Sequence, residues 1–331
     1  MRACQKLAAE AAAQSERMRG VLSLWSLDLP AGALAADRLE QAQRLVLGSA
    51  LFLLQALVEP SQASPAAPRL WLVTRNAMSV SPDDSPCNPA SAALWGFGRS
   101  AALEHPQLWG GLVDLGAEAS PSEEAARLLS EILDSGSEDQ IALRDNGGRF
   151  APRLVRMQPP PRTEVKPDAE GTYLITGGLG ALGVETARWL ISRRGAKHLV
   201  LASRRGFDDP KAGMVVDELS AIGAEVRIVS ADITKEADVR RLLEVAGSPR
   251  ELKGIFHCAG LLDDGILLQM SWAKLWRVMA PKAIGGWLLS ELSRDLKLEC
   301  FVVFSSILSL IGSAGQANYS AANAFLDGLV G

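Results

Sequence analysis

Apolar and polar positions follow one rhythm through the second half of the chain. Short β-branched runs are each followed by a helical pattern: 172–176 then 182–194, 198–203 then 211–222, 225–232 then 235–246, 254–259 then 271–296, and a last run at 300–306. Strands this apolar are buried on both faces, so the pattern predicts a parallel sheet with helices on each side. The first half keeps the rhythm less regularly, with strands predicted over 21–27, 69–74 and 111–115 and helices over 37–58 and 92–104. Its last strands, IALRDNGGRF and then APRLVRM, bracket an Asn146-Gly147 turn of hairpin type.

Between 156 and 167 the sequence reads RMQPPPRTEVKP. Its prolines remove backbone donors and fix φ, so neither a helix nor a central strand runs through it. The expected fold is α/β with two Rossmann-like subdomains. A structural subdomain spans 1–158, a proline-rich linker 159–168, and a doubly wound parallel sheet, with closely spaced glycines in the loop after its first strand, 169–331.

Composition narrows the function classes. Lys and Arg total 34 against 38 Asp and Glu, a net charge of −4, which gives no basic footprint for nucleic acid or an anionic membrane. The longest apolar stretch, 45–58, is about 14 residues and contains Gly48, Ser49 and Gln55, short of the roughly 20 that span a bilayer. The opening MRACQKLAAE has no apolar signal region, so a cytoplasmic address is expected. Cys4, Cys87, Cys258 and Cys300 show no CxxC spacing and do not group with His105, His198 and His257, so no metal site or disulfide is expected. The histidines read as core or turn residues, because His198 and His257 lie in apolar runs and His105 precedes a proline.

The sharpest chemical signal is TYLITGGLGALG, in which Gly178, Gly180 and Gly183 form GxGxxG between an apolar strand and a helix. One glycine allows the tight turn, the next lets backbone amides approach phosphate, and the third lets helix and strand pack closely. Thr176, Leu179 and Leu182 are counted with them as cofactor contacts. At the end of the next strand, where an NAD site places an acid, stand Ser203, Arg204 and Arg205. Two cations suit a 2′-phosphate; two solvated loop arginines are the plainer alternative. Asp232, with Ile233 beside it, either contacts adenine or helps cap the helix after Thr234. Cys258, Ala259 and Gly260 close the fourth strand with small residues, as backbone approach to a cofactor requires and as a tight turn alone also explains. The first half offers only DLPAG and RNAMSVSPDD after its strands, without closely spaced glycines.

Of the two tyrosines, Tyr173 lies in a predicted strand, whereas Tyr319 falls in GSAGQANYSAANAFLDG with Asn323 on the same helical face. A phenol is a poor acid at neutral pH, and a nearby ammonium brings it towards a useful range. Lys297 precedes the strand at Cys300 and so sits at its entry end, while ligands of open α/β sheets bind outside the carboxyl ends. Lys282 follows Pro281, which fits the first turn of a helix entering from the catalytic edge, and is chosen as the partner. Ser305 and Ser306 close CFVVFSS at that edge, where a hydroxyl could hold a carbonyl oxygen or merely cap a turn.

With these residues the second half resembles the short-chain dehydrogenase superfamily, and more closely the ketoreductase domains of modular polyketide synthases. Asn323 stands where the superfamily's Tyr-x-x-x-Lys has its lysine, and that exchange of Lys and Asn is characteristic of the polyketide ketoreductases. The motifs are TGGLGALG, SRRG at 203–206, HCAG at 257–260, PKAIGGW at 281–287, FSS at 304–306 and GQANYSAANAFLD at 315–327. The first half is similar to the family's structural subdomain in RLWLVTR, LWGFGRSAALEHPQLWGGLVDL and DQIALR.

The resemblance implies NADPH-dependent reduction of a β-ketoacyl thioester held on the phosphopantetheine of an acyl carrier protein, alongside other domains of the same synthase. It implies catalysis by Lys282, Ser306, Tyr319 and Asn323. Leu262, Asp263 and Asp264, with Ile311 where A-type members carry a tryptophan, resemble the B-type pattern and imply a D-configured hydroxyl. On that reading Asp263 and Asp264 orient the substrate; a solvated turn pair is the alternative. Family members continue past the match to Asp327 through further elements and a lid, so this chain alone is expected to turn over feebly. A cofactor-binding scaffold without turnover is the second reading.

Overall fold

The computed structural model describes residues 19–30, 35–62, 68–81, 84, 87–116, 120–133, 136–145, 147–157 and 168–330. Asn146 and the expected linker, apart from Asp168, lie outside them, as does Cys4. The chain divides into two compact units, one of Met1–Val155, Leu262–Met279 and Ser305–Gly331, the other of Arg156–Leu261 and Ala280–Phe304.

In the first unit a sheet runs β1 (Gly20–Ser23), β2 (Arg69–Arg75), β3 (Trp109–Leu115), β4 (Gln140–Leu143) and β5 (Arg149–Phe150). The first four strands are parallel and β5 returns antiparallel to β4, with Gly147 at φ +86° in the connection. The strand expected over 21–27 stops at Ser23, and a 3-10 turn over Trp25–Asp28 follows. Ser26 causes the break: it is buried, and its hydroxyl donates to the Val73 carbonyl. The helix expected over 37–58 is three pieces, α1 (Ala36–Gln43), a π-helical turn over Arg44–Gly48, and α2 (Ser49–Gln62). Ser49 Oγ bonds back to the Val46 carbonyl at 3.1 Å, the kind of side-chain competition that widens a helical ladder. By length and composition alone Ala36–Val58 could cross a membrane, yet 67% of its most apolar window is buried inside the protein, as a core helix is.

α3 (Pro89–Glu104) begins earlier than the hydrophobic pattern predicts, because Asn88 Oδ1 accepts from the Ala90 and Ser91 amides and Pro89 occupies the first turn. α4 (Pro121–Leu133) is absent from the periodicity reading. Its signal is a capping box, in which Ser120 Oγ donates to Glu123 Oε2 at 2.6 Å and accepts from the Glu123 amide at 3.4 Å. It covers Val73, Val113, Leu115, Ile141 and Leu143 of the sheet through Leu128. At the carboxyl ends of β2 and β3, buried Asp114 accepts from Thr74 Oγ1 at 2.7 Å, the Ala77 amide at 2.8 Å and Arg144 Nη2 at 3.0 Å. In the nucleotide-binding version of such a sheet a ligand stands at those ends.

The second unit is an all-parallel sheet in the order β10 (Cys300–Val303), β9 (Leu252–His257), β6 (Thr172–Thr176), β7 (His198–Ser203), β8 (Glu225–Ser230). α5 (Ala181–Arg194), α6 (Ala212–Ala221) and α7 (Glu236–Ala246) form the crossovers. Tyr173, Ile175, Leu190, Leu199, Leu201, Leu219 and Phe256 build the core. The chain order reverses at β6, the switch point where such sheets open a crevice beyond their carboxyl ends.

α8 (Trp272–Leu292) corrects one expectation. Pro281 lies inside this helix and does not begin it, so Lys282 is a mid-helix residue. The proline removes one ladder donor without ending the helix.

Candidate active site

The glycine loop follows β6 directly. Gly177 has φ +65°, and a Cβ there would lie 2.8 Å from Ala259 Cα. A Cβ at Gly178 would come within 2.7 Å of Leu201 Cβ, and one at Gly183 would overlap the Gly177 carbonyl oxygen. Packing inside the unit therefore requires all three. Gly180 differs, since among the described residues the Gly177 oxygen at 3.2 Å is the only neighbour a Cβ there would meet. It is the N-cap of α5, makes no side-chain cap, and leaves the first-turn amides facing outward, an arrangement suited to a dinucleotide's phosphates. Thr176 is fully buried, and its Oγ1 lies 2.7 Å from His257 Nδ1. That side chain supports the loop from beneath.

Around the crevice the other expected contacts fall at strand ends. Ser203 Oγ accepts from the Gly206 amide at 3.0 Å, and Gly206 turns at φ +55°. Arg205 is paired with Asp209 at 2.6 Å, whereas exposed Arg204 has no ion-pair partner among the described residues. Asp232 Oδ1 accepts from the Thr234 amide and hydroxyl at 3.1 and 2.7 Å, so it builds the turn before α7, with Ile233 buried beside it. Cys258 lies 3.7 Å from Thr186 Oγ1, and burial pushes its thiol up to about 11. Ala259 and Gly260 continue the turn, and a Cβ at Gly260 would come 3.2 Å from Lys282 Cε.

Lys282 is 5% exposed, and its ammonium donates to the Phe304 carbonyl at 2.6 Å, just beyond β10. His257 is wholly buried. Desolvation first, and the Lys282 charge second, push it down to about 3. It is a neutral core residue, as its apolar context predicts.

The remaining expected residues belong to the first unit. Ser306 Oγ accepts from the Leu308 amide at 3.3 Å, capping the short helix α9 (Leu308–Ile311), which leaves its own proton for another acceptor. Tyr319 is half-buried on α10 (Ala317–Val330), and Asn323 Nδ2 donates to the Tyr319 carbonyl at 2.8 Å. Asn323 Oδ1 is buried without a hydrogen-bond partner among the described residues. Asp263 is ion-paired with Arg277, and Lys274 lies 3.5 Å away; together these cations hold its carboxyl below the usual range although partial burial opposes them. Asp264 Oδ2 accepts from Gln316 Nε2 at 3.1 Å.

Sequence reasoning passed over Asn318, Ser100, Arg99 and Glu104. Asn318 is fully buried, donates to the Asp263 carbonyl at 2.8 Å and accepts from the Tyr319 amide at 2.8 Å. α3 packs antiparallel on α10 through small residues four apart, Ala92, Gly96 and Ser100 against Gly328, Ala324 and Ser320. The stripe is visible in the sequence, but small residues on an apolar helix do not name their partner. No cluster of three or more metal-ligating side chains occurs among the described residues.

Comparison with known proteins covers both halves. The KR domain model matches residues 171–331, and a model described as the Rossmann fold domain of polyketide synthase extender module SpnB matches residues 2–154. Polyketide synthase GfsA of Streptomyces halstedii is 42% identical over 286 residues, which cover 86% of this chain and 4% of that protein. The chain thus spans a small fraction of the curated relatives it matches. A solved A1-type ketoreductase is similar with a TM-score of 0.87 and 36% identity, covering 99% of this chain and 67% of that one. A C2-type ketoreductase from a modular polyketide synthase gives 0.84 and 34%, covering 100% and 69%.

Proposed function

From the premise that this chain belongs to the ketoreductase domains of polyketide synthases, oxidoreductases that bind a nicotinamide dinucleotide, we propose that it reduces a β-ketoacyl thioester with NADPH. The acyl group arrives on the phosphopantetheine arm of an acyl carrier protein, and other domains of the same synthase are its neighbours. Lys282 carries this reading: an almost fully buried ammonium, held on the Phe304 carbonyl beyond the carboxyl end of β10, in the unit that contains the glycine loop. Burying a lysine is costly, and a part in the chemistry supports its standing there.

The glycine loop, with Leu179 and Leu182, Ser203, and the Cys258 to Gly260 turn would hold the cofactor, which supplies a hydride to the β-carbon. Tyr319 donates its phenolic proton to the oxygen as negative charge builds on it. Ser306 donates a hydrogen bond to the same oxygen through the proton that its capping role leaves available. The family resemblance gives Lys282 the role of tuning the tyrosine, and gives Asn323, whose buried Oδ1 has no hydrogen-bond partner among the described residues, that of relaying its proton. Arg204 favours the 2′-phosphate more than Arg205, whose charge is already balanced by Asp209. The Leu262, Asp263, Asp264 segment and Ile311 support a B-type, D-configured product, although the solved relatives above are of A1 and C2 type.

The test is a synthase module carrying this sequence. The parent oxidises NADPH when given a ketoacyl thioester, and chiral analysis finds the D-alcohol. Tyr319→Phe should keep NADPH binding, read by nucleotide fluorescence, and lose reduction by about 10²-fold or more. Arg204→Asp should narrow the preference for NADPH over NADH. Near-parental turnover by Tyr319→Phe would falsify the assignment.

A further inference from the structure

The last turns of α3 engage the loop between Ser306 and Tyr319 step by step. Arg99 Nη1 donates to the Ser309 carbonyl, and a Cβ at Gly312 would lie 2.6 Å from Arg99 C. Ser100 Oγ accepts from the Ser313 amide at 3.1 Å. Glu104 ends the series with both oxygens in use. Its Oε1 accepts from the Gly315 amide at 2.9 Å and its Oε2 from the Leu267 amide at 2.7 Å.

Those two amides belong to different loops. Leu267 opens the 3-10 turn Leu267–Gln269, directly after the segment with Asp263 and Asp264. Gly315, at φ +79°, stands four residues before Tyr319. The loops also touch directly, Gly265 donating to the Gly315 carbonyl at 2.7 Å and Asn318 to the Asp263 carbonyl at 2.8 Å. Asn318 lies on α10, and Gln55 of α2 donates to the Leu267 and Met270 carbonyls at 2.8 Å, so these bonds tie the Asp263 to Met270 side to helices, but neither also holds the tyrosine loop. The Glu104 carboxylate fastens both to a helix, through hydrogen bonds of the charge-assisted kind.

We propose that Glu104 is a positioning residue for the reduction: through the Gly315 and Leu267 amides it fixes the Asp263 and Asp264 segment against the tyrosine loop, and so decides which face of the ketone is presented. The inference rests on the reading of Tyr319 as proton donor and of that segment as substrate-orienting. Glu104 itself touches no reacting atom.

Two variants grade the effect in the same module. Glu104→Gln keeps one carbonyl acceptor and Glu104→Ala keeps none. Expected are an unchanged KM for NADPH, a kcat lowered on the order of tenfold in Glu104→Gln and more in Glu104→Ala, and a growing share of the minor alcohol enantiomer. Amide hydrogen exchange at Leu267 and Gly315 should quicken in the same order. If Glu104→Ala does not fold, the near-isosteric Glu104→Gln carries the test alone. Faster exchange with an unmoved product ratio would overturn the proposal, because the bonds would then serve stability only. Retained turnover in Tyr319→Phe would instead overturn the reading beneath it, so the two failures are distinguishable.

Discussion

His257 ends β9 with its ring enclosed and its Nδ1 on Thr176, and the fold keeps it neutral down to about pH 3. In the unfolded chain it protonates near the ordinary histidine value of about 6.5. The unfolded state therefore binds the extra proton first, and the contribution of this residue is complete above pH 6.5 and declines as pH falls towards 3. The slope is about 1.4 kcal/mol per pH unit within that window. Urea unfolding followed from pH 8 to pH 5 should show the parent losing about 2 kcal/mol more than His257→Gln. Parallel profiles would contradict it. Reading this histidine as core was possible from its apolar neighbours. Its pairing with Thr176 was not, because that bond joins residues on two strands whose register only the folded sheet defines.

Between helices the decisive contact is Gly96 under Ser320. A Cβ at Gly96 would overlap the Ser320 carbonyl and lie 2.8 Å from Ala324 Cβ, and a backbone atom has no rotamer by which to move aside. On an isolated helix a Gly→Ala exchange stabilises by about 0.5–1 kcal/mol. Here Gly96→Ala should destabilise by about 1–3 kcal/mol and reduce turnover, because α10 carries Tyr319 and Asn323. Affinity for the nicotinamide dinucleotide should hold, since the glycine loop belongs to the other unit. A urea midpoint equal to or above the parent's would refute the argument. Elements of the second half were legible to within a few residues because an apolar strand followed by a helix leaves a strong periodic trace. The failures have local causes. Ser26 turns inward and ends β1, the Ser120 cap starts an amphipathic helix that the rhythm of apolar strands followed by helices does not announce, and Pro281 is carried within α8.

Across the whole molecule, candidate residues that are neighbours in sequence belong to different compact units. Lys282 and the glycine loop fall in one, Ser306, Tyr319 and Asn323 in the other with residues 19–155. Sequence motifs identified each of these residues, yet not this partition, since the proline-rich stretch is the only break that composition reveals. The first unit's sheet meanwhile has a buried salt bridge, Asp114 with Arg144, at the strand ends that in the second lie beside the glycine loop. Related architectures thus serve two tasks, and the first sheet contributes by carrying α3. The antiparallel seam of Ala92, Gly96 and Ser100 on Ser320, Ala324 and Gly328 has a consequence for exchanging such domains between synthases. A crossover placed in the proline-rich stretch would seat one parent's tyrosine helix on the other parent's α3, with side chains never selected to interlock. Chimaeras that inherit residues 89–104 and 305–330 from the same parent should outperform those joined at 156–167 in soluble yield and turnover, and equal performance would show the seam to be interchangeable.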